Sequence, residues 1–327
     1  MPGHGRILAP SDYTPAWWLP DGHTQTLWAA LCRPVPRVHP RFERVELPDG
    51  DFVDLAHVGR EGGPLVLVLH GLEGDYRSPY ASALLAAIAA RGWHGVLMHF
   101  RGCSGEPNRL QRSYHSGDTA DLVRVANLLA ARAPALALVG YSLGGNVLLK
   151  YLGERGRDAA CATAVAVSVP FDLAIAANTL NRGFARMYQR RLVKSLQEKT
   201  RLKFARMTAP IDLAGLAQWT DFRSFDHRVT APLHGFAGVD DYYTRSSCRP
   251  FLRDVAVPTR VIHAADDPFL APAGIPNAWE LAATVELALV ARGGHVGFVA
   301  TERGWLERQI VEFIAASSPS HRSAHAP

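Results

Sequence analysis

Ser142 sits in Gly140-Tyr141-Ser142-Leu143-Gly144-Gly145, between a short apolar run at 135–139 and helix-forming residues from Asn146 onward. A Gly-x-Ser-x-Gly sequence in a strand-turn-helix setting lifts the serine Oγ above the sheet edge. It also aims a helix N-terminus at the carbon under attack. The glycines are a steric need, since side chains two places either side of the serine would strike neighbouring strands. A plain glycine-rich turn with an incidental serine is the rival reading, but the strand and helix flanks favour a nucleophile.

A serine hydroxyl attacks a carbonyl once a base takes its proton, and the base needs a carboxylate to hold its tautomer. In this setting the chain order is serine, then acid, then histidine. Fourteen histidines are available. His295 has the fitting place, in Gly293-Gly294-His295-Val296-Gly297, a flexible loop after the last strand-like run. His263 and His234 are the alternatives. The acid should follow the strand-like run at 259–263, where two adjacent aspartates stand, Asp266 and Asp267. Neighbouring side chains of an extended segment point opposite ways, so only one can face the histidine. Asp267 is preferred because Pro268 holds it extended; Asp266 then becomes a loop or capping carboxylate.

Attack on a carbonyl also creates an oxyanion that needs N–H donors already in place. The backbone N–H of Leu143, next to the nucleophile, is one candidate. The turn after the first buried strand, His70-Gly71-Leu72-Glu73-Gly74, offers Leu72 N–H as the other.

These groups must be carried to one place by the surrounding elements. Residues 41–47 and 52–58 flank Pro48-Asp49-Gly50-Asp51, which predicts a β-hairpin. The continuously apolar run 64–69 predicts a strand buried on both faces of a parallel sheet. Helices at about 80–91, 118–131 and 144–152 alternate with strands at 95–100, 135–139 and 163–169. Strands at 259–263 and 285–290 follow, with helices between and after them. The fold class is therefore α/β, with a mostly parallel central sheet flanked by helices. Residues 1–40 read as an irregular arm packed on the core, and 41–170 with 256–316 as the core itself. The insertion 171–255 is largely helical and falls over the carboxyl ends of the strands, as a cap or lid would. The tail 317–327 reads as disordered.

Composition sets outer limits. The chain has 327 residues, 48% of them hydrophobic and 20% charged, ordinary for one large globular domain. Its four cysteines are scattered without zinc or disulfide spacing, and neither a metal nor a cofactor motif is present. The N-terminus lacks signal-peptide character and no apolar run is long enough to span a bilayer, so a cytoplasmic location is expected. Net charge is +5, with the densest basic stretch at 182–203 interleaved with Phe184, Met187, Tyr188 and Leu192. That pattern reads as an amphipathic helix with a solvated basic face, or as a weak contact with an anionic membrane surface. Nucleic-acid motifs are missing.

Beyond these single motifs, the chain resembles the YheT-like branch of the α/β-hydrolases, a group of abhydrolase-domain lipases and yeast ethanol acyltransferase relatives. The matching segments include Asp21-Gly-His-Thr-Gln-Thr-Leu27, His70-Gly-Leu-Glu-Gly74, Phe100-Arg-Gly-Cys-Ser-Gly105 and Gly140-Tyr-Ser-Leu-Gly-Gly-Asn146. Phe225-Asp-His-Arg-Val-Thr-Ala-Pro-Leu-His-Gly-Phe236, His263-Ala-Ala-Asp-Asp-Pro268 and Gly293-Gly-His-Val-Gly-Phe298 continue the series in family order. The resemblance implies an α/β-hydrolase fold and an esterase or lipase with Ser142, Asp267 and His295 as its triad, acting on a small-molecule acyl ester. It makes 226–236 part of the family's structural signature, without a derived catalytic role. Two alternatives stay open: transfer of the acyl group to an alcohol by the same site, and a non-catalytic protein of this fold that binds a ligand. Oligomeric state is not readable.

Overall fold

The computed structural model describes residues 3–317. In chain order the first elements are β1 (Arg6–Leu8), α1 (Gly22–Leu31), β2 (Arg41–Glu46), β3 (Phe52–Gly59) and β4 (Leu65–Leu69). Then come α2 (Pro79–Ala90), β5 (His94–Met98), α3 (Ala120–Ala130), β6 (Leu136–Tyr141), α4 (Leu143–Arg155) and β7 (Thr163–Val167). Between β7 and β8 lie α5 (Leu173–Leu180), α6 (Ala185–Phe204), α7 (Phe222–Phe225), α8 (Ala231–Leu233) and α9 (Val239–Ser246). A π-helical turn, Asp226–Thr230, joins α7 to α8. The chain closes with β8 (Thr259–Ala264), β9 (Val285–Val290) and α10 (Trp305–Ser317). No helix among the described residues is long and apolar enough to cross a membrane.

The strands form one sheet in the order β1-β9-β8-β7-β6-β4-β5-β3-β2. Only β3 runs against the others, pairing antiparallel with β2 and β5. The alternation of side chains along β4 shows how the sheet is covered. Leu65, Leu67 and Leu69 face the cluster that holds Leu122 and Val125 of α3 and Leu148 of α4. Val66 and Val68 face the other side, against Leu84 and Ile88 of α2 and Ile310 and Ile314 of α10. All five β4 side chains are buried, which is why the run carries no polar residue. Truncating one such leucine to alanine typically costs about 2–5 kcal/mol.

Two expectations are corrected. The arm is not irregular: β1 joins the sheet edge parallel to β9, and α1 begins with a capping box in which Asp21 and Thr24 bond each other's backbone N–H groups. A three-residue strand exists only because β9 offers it an edge, so no sequence period announces it. Between β8 and β9 there is no α-helix, only two 3-10 turns, Pro272–Gly274 and Ala278–Glu280. Pro268, Pro272 and Pro276 each remove a backbone donor from that stretch. Of the tail, Ser317 ends α10 and 318–327 lie outside the described residues.

Beneath the sheet's hairpin side, Arg101 is buried at 2% exposure and holds three carboxylates. It donates to both oxygens of Asp121 at 2.7 Å, to Asp49 at 2.8 Å and to Asp51 at 3.0 Å, tying α3 to the β2–β3 turn. Arg101→Ala leaves buried carboxylates without their cation and should lower the unfolding free energy by about 3–5 kcal/mol. Urea denaturation checks this, and a loss below about 1 kcal/mol would mean the network is solvated instead.

Candidate active site

The tight turn between β6 and α4 places Ser142 at φ 51°, ψ −117°, a strained conformation for a residue with a side chain. Its N–H is held by the Val167 carbonyl at 2.8 Å, and its own carbonyl accepts Asn146 N–H at 3.0 Å. At Gly144 a Cβ would lie 2.6 Å from the carbonyl oxygens of both Leu69 and His70. The bare glycine therefore lets the start of α4 press against the end of β4. Asn146 locks the arrangement further: its amide donates to the Ser116 and Ser246 carbonyls, and its oxygen accepts Cys248 N–H.

Three side chains from three strand ends meet here. His295 Nε2 lies 2.9 Å from Ser142 Oγ, and His295 Nδ1 lies 2.8 Å from Asp267 Oδ2. With Nδ1–H donated to the carboxylate, Nε2 is left to accept the serine proton. Asp267 is itself buried and takes Phe269 N–H at 2.8 Å on its other oxygen. The Phe269 ring stacks flat on the His295 imidazole at 4.0 Å. Asp266 points elsewhere: its Oδ1 accepts Gly293 N–H at 2.8 Å and Gly294 N–H at 3.0 Å, bracing the loop that carries His295. The two other histidines considered stay apart from Ser142. His263 is wholly buried, with its imidazole pushed down to about 4 by burial, and His234 is bonded to the Thr230 and Ser113 carbonyls.

The turn after β4 supplies the opposite wall. His70 is buried and its imidazole is pushed down to about 3 by desolvation, so it stays neutral. It donates from Nδ1 to the Gly71 carbonyl at 2.7 Å and accepts Phe100 N–H on Nε2 at 3.1 Å. Gly71 N–H is used by Tyr80 Oη and Glu73 N–H by Tyr114 Oη. Between them, Leu72 N–H has no acceptor among the described residues, and neither does Leu143 N–H. Both residues line the same cavity as Ser142 and His295.

The residues that sequence reasoning passed over are in α1. Thr26 Oγ1 accepts His295 N–H at 2.8 Å and donates to the Gly22 carbonyl at 2.6 Å. Gln25 spans the same loop farther on, accepting Val299 N–H and donating to the Val299 carbonyl. The contact is tight enough that a Cβ on Gly294, at φ +62°, would meet the Gly22 carbonyl at 2.4 Å. The Asp21–Leu27 stretch could be flagged in the sequence by its family likeness, but nothing in it points to a partner 269 residues away.

Over these groups lies a cavity of about 130 Å³. Its apolar wall is built by Leu173, Ala177 and Leu180 of α5 and by Leu192 and Leu196 of α6. A polar end carries Asp226, Thr230, Tyr242 and Tyr243. Helix α6 is fastened to the β4 turn, where Glu73 accepts from Lys199 Nζ at 2.6 Å and from Ser195 Oγ at 3.1 Å. Asp226 is buried and accepts from Thr230 Oγ1 at 2.6 Å and Tyr243 Oη at 2.9 Å, joining the π-helical turn to α9.

Fold and geometry together define a class of protein, and sequence comparison narrows it. Residues 64–299 match the alpha/beta hydrolase fold family. The protein YheT of Escherichia coli (strain K12) is 43% identical over 317 residues, covering 93% of each chain. The chain thus belongs to the α/β-hydrolase family, in the branch of YheT. Human "Phospholipase ABHD3" is 27% identical over 93% of this chain and 78% of its own length. "Monoacylglycerol lipase" of Saccharomyces cerevisiae is 27% identical over 77% of this chain and 59% of its own. Among solved structures, the Pyrococcus furiosus esterase Pf2001 superposes with a TM-score of 0.58 at 13% identity, over 87% of this chain and 98% of that one, a likeness of fold.

Burial pushes the Asp226 carboxyl up to about 6 from its ordinary 3.8. Between those values the folded protein keeps a proton that the unfolded chain has lost, so stability falls as pH rises through this window. The fall attributable to Asp226 should approach about 3 kcal/mol. Urea unfolding at pH 4 and pH 7 should show that Asp226→Asn removes it. Equal differences in the two proteins would show that Asp226 titrates normally.

Proposed function

We propose that the protein is a serine carboxylic ester hydrolase that works through an acyl-enzyme on Ser142. The reading is carried by the continuous hydrogen-bonded line from Ser142 Oγ through His295 to buried Asp267, at the floor of a largely apolar cavity. In this cycle His295 takes the serine proton as Oγ attacks the ester carbonyl. Asp267 holds the imidazole in the tautomer that leaves Nε2 free and stabilises the imidazolium that forms. The unsatisfied N–H groups of Leu72 and Leu143 receive the oxyanion, each worth about 3 kcal/mol to the transition state. The alcohol leaves with the proton from His295, and water, activated by the same base, releases the acid.

Residues 171–255 act as the cap: their helices form the apolar wall, and 41–170 with 256–316 form the catalytic core. Relatives named as a phospholipase and a monoacylglycerol lipase favour an ester over an amide. An alcohol is also the easier group to expel.

Purified protein should hydrolyse p-nitrophenyl esters, and Ser142→Ala should cut kcat by at least about 10⁴-fold with the fold intact. Absence of turnover on every ester from acetate to palmitate, in folded protein, would exclude the reading. Thr26 acts as a positioning residue through the His295 backbone. Thr26→Val should therefore lower kcat about ten-fold while leaving KM within about two-fold, since it moves the base and not the acyl wall. A change in KM alone would mean that α1 shapes the cavity instead, and Thr26→Ser should restore the rate.

A further inference from the structure

The first half of α6 and the turn before it hold five exposed cations: Arg182, Arg186, Arg190, Arg191 and Lys194. None of their charged groups has a hydrogen bond or ion pair among the described residues. Elsewhere the arginines are mostly partnered, as Arg44 is by Asp54 and Glu106, and Arg249 by Glu280. The first acid along this helix is Glu198, which is taken by Arg201. Unscreened like charges on successive turns repel one another and destabilise an isolated helix. A surface of this kind is expected where an anionic partner neutralises it.

Two large apolar side chains are exposed among these cations, Phe184 at 52% and Met187 at 45%. They stand at the outer end of a file of rings that runs inward to the base. Phe184 meets Tyr188 at 5.8 Å, Tyr188 meets Phe269 at 5.0 Å, and Phe269 stacks on His295. His23 of α1 closes the side of this file, 5.0 Å from Phe184 and bonded to Tyr188 Oη. The inner face of the same helix, through Leu192 and Leu196, lines the cavity. One helix thus shows an apolar wall to the acyl site and a basic, aromatic face to the outside.

We propose that this face, centred on Phe184, Met187, Arg186 and Arg190, docks the protein on an anionic lipid surface, on the helix whose other face lines the acyl cavity. Phe184 and Met187 enter the interfacial layer while the guanidinium groups meet lipid phosphates, the arrangement by which amphipathic basic helices lie on membranes. Nucleic acid would meet the same charges but would leave Phe184 and Met187 without an apolar environment. That the docked substrate is an ester rests on the function proposed above; the docking itself does not.

The test is co-sedimentation of the full chain, wild type and Ser142→Ala, with vesicles of phosphatidylcholine alone or with about 30 mol % phosphatidylglycerol. Both proteins should bind the anionic vesicles and not the neutral ones. Each cation removed should weaken binding about five-fold, so R186E/R190E should lose it, and F184S/M187S should weaken it at least about five-fold. Far-UV circular dichroism and thermal unfolding report the fold of each variant and should match the wild type, and R186E/R190E should hydrolyse a soluble ester such as p-nitrophenyl butyrate at the wild-type rate. Equal binding to both vesicle types, binding to neither, or retention by R186E/R190E would each overturn the proposal. So would an R186E/R190E-sensitive affinity for duplex DNA without vesicle binding. If vesicles bind Ser142→Ala but no ester is ever turned over, the docking stands and the hydrolase reading falls.

Discussion

The approach of the start of α4 to the end of β4 governs everything built above the sheet. With no side chain at Gly144, the helix N-terminus lies within contact of the Leu69 and His70 carbonyls, and the chain between β6 and α4 must make its turn inside a single residue. Ser142 takes that strain, which the neighbouring strands over-determine through its bond to Val167. The same closeness brings Leu143 N–H to the wall opposite Leu72 N–H. Widening the gap by one methyl group would carry Ser142 and the adjoining Leu143 together away from the His70–Leu72 turn.

Around this fixed centre the structure uses paired carboxylates and a buried imidazole to divide labour. Asp267 faces His295 while its neighbour Asp266 braces the glycine loop from behind, so one dipeptide serves both the ring and its backbone. His70, kept neutral by burial, has both nitrogens committed to backbone, one to the Gly71 carbonyl beside Leu72 and the other to Phe100 N–H after β5. From the far side Thr26 and Gln25 close the loop. His295 is therefore held from β8, β9 and α1 together, the stiffness that catalysis by positioned groups would require of it.

The segment between β7 and β8 has a different character. Its helices contribute separate small clusters, such as Leu173 with Tyr242 and Tyr243, and Val193 with Phe225 and Val229. It is tied to the rest of the chain by polar links, such as Lys199 to Glu73 and Lys203 to Asn108, and by apolar ones, such as Tyr188 and Leu180 against Phe269 and Leu27, and Phe171 and Leu252 within the main core.

How much of this could be read from the chain alone follows from the range of the interactions. Local patterns were enough for the strands around β4 and β6, the hairpin at 41–58, and the turn at Ser142, because burial on both faces and steric exclusion at glycine act within a few residues. Local reasoning also narrowed the acid to two adjacent aspartates, and extended geometry alone ruled that only one could face the ring. The tertiary structure decided what depends on partners far along the chain. A three-residue β1 forms only against β9, and the prolines between β8 and β9 leave 3-10 turns in place of a helix. Thr26 meets His295 across 269 positions, an encounter encoded by how α1 packs and by no period or spacing. The same holds for α6, whose sequence shows an amphipathic basic helix but whose packing alone determines which face lines the cavity and which is left to the outside.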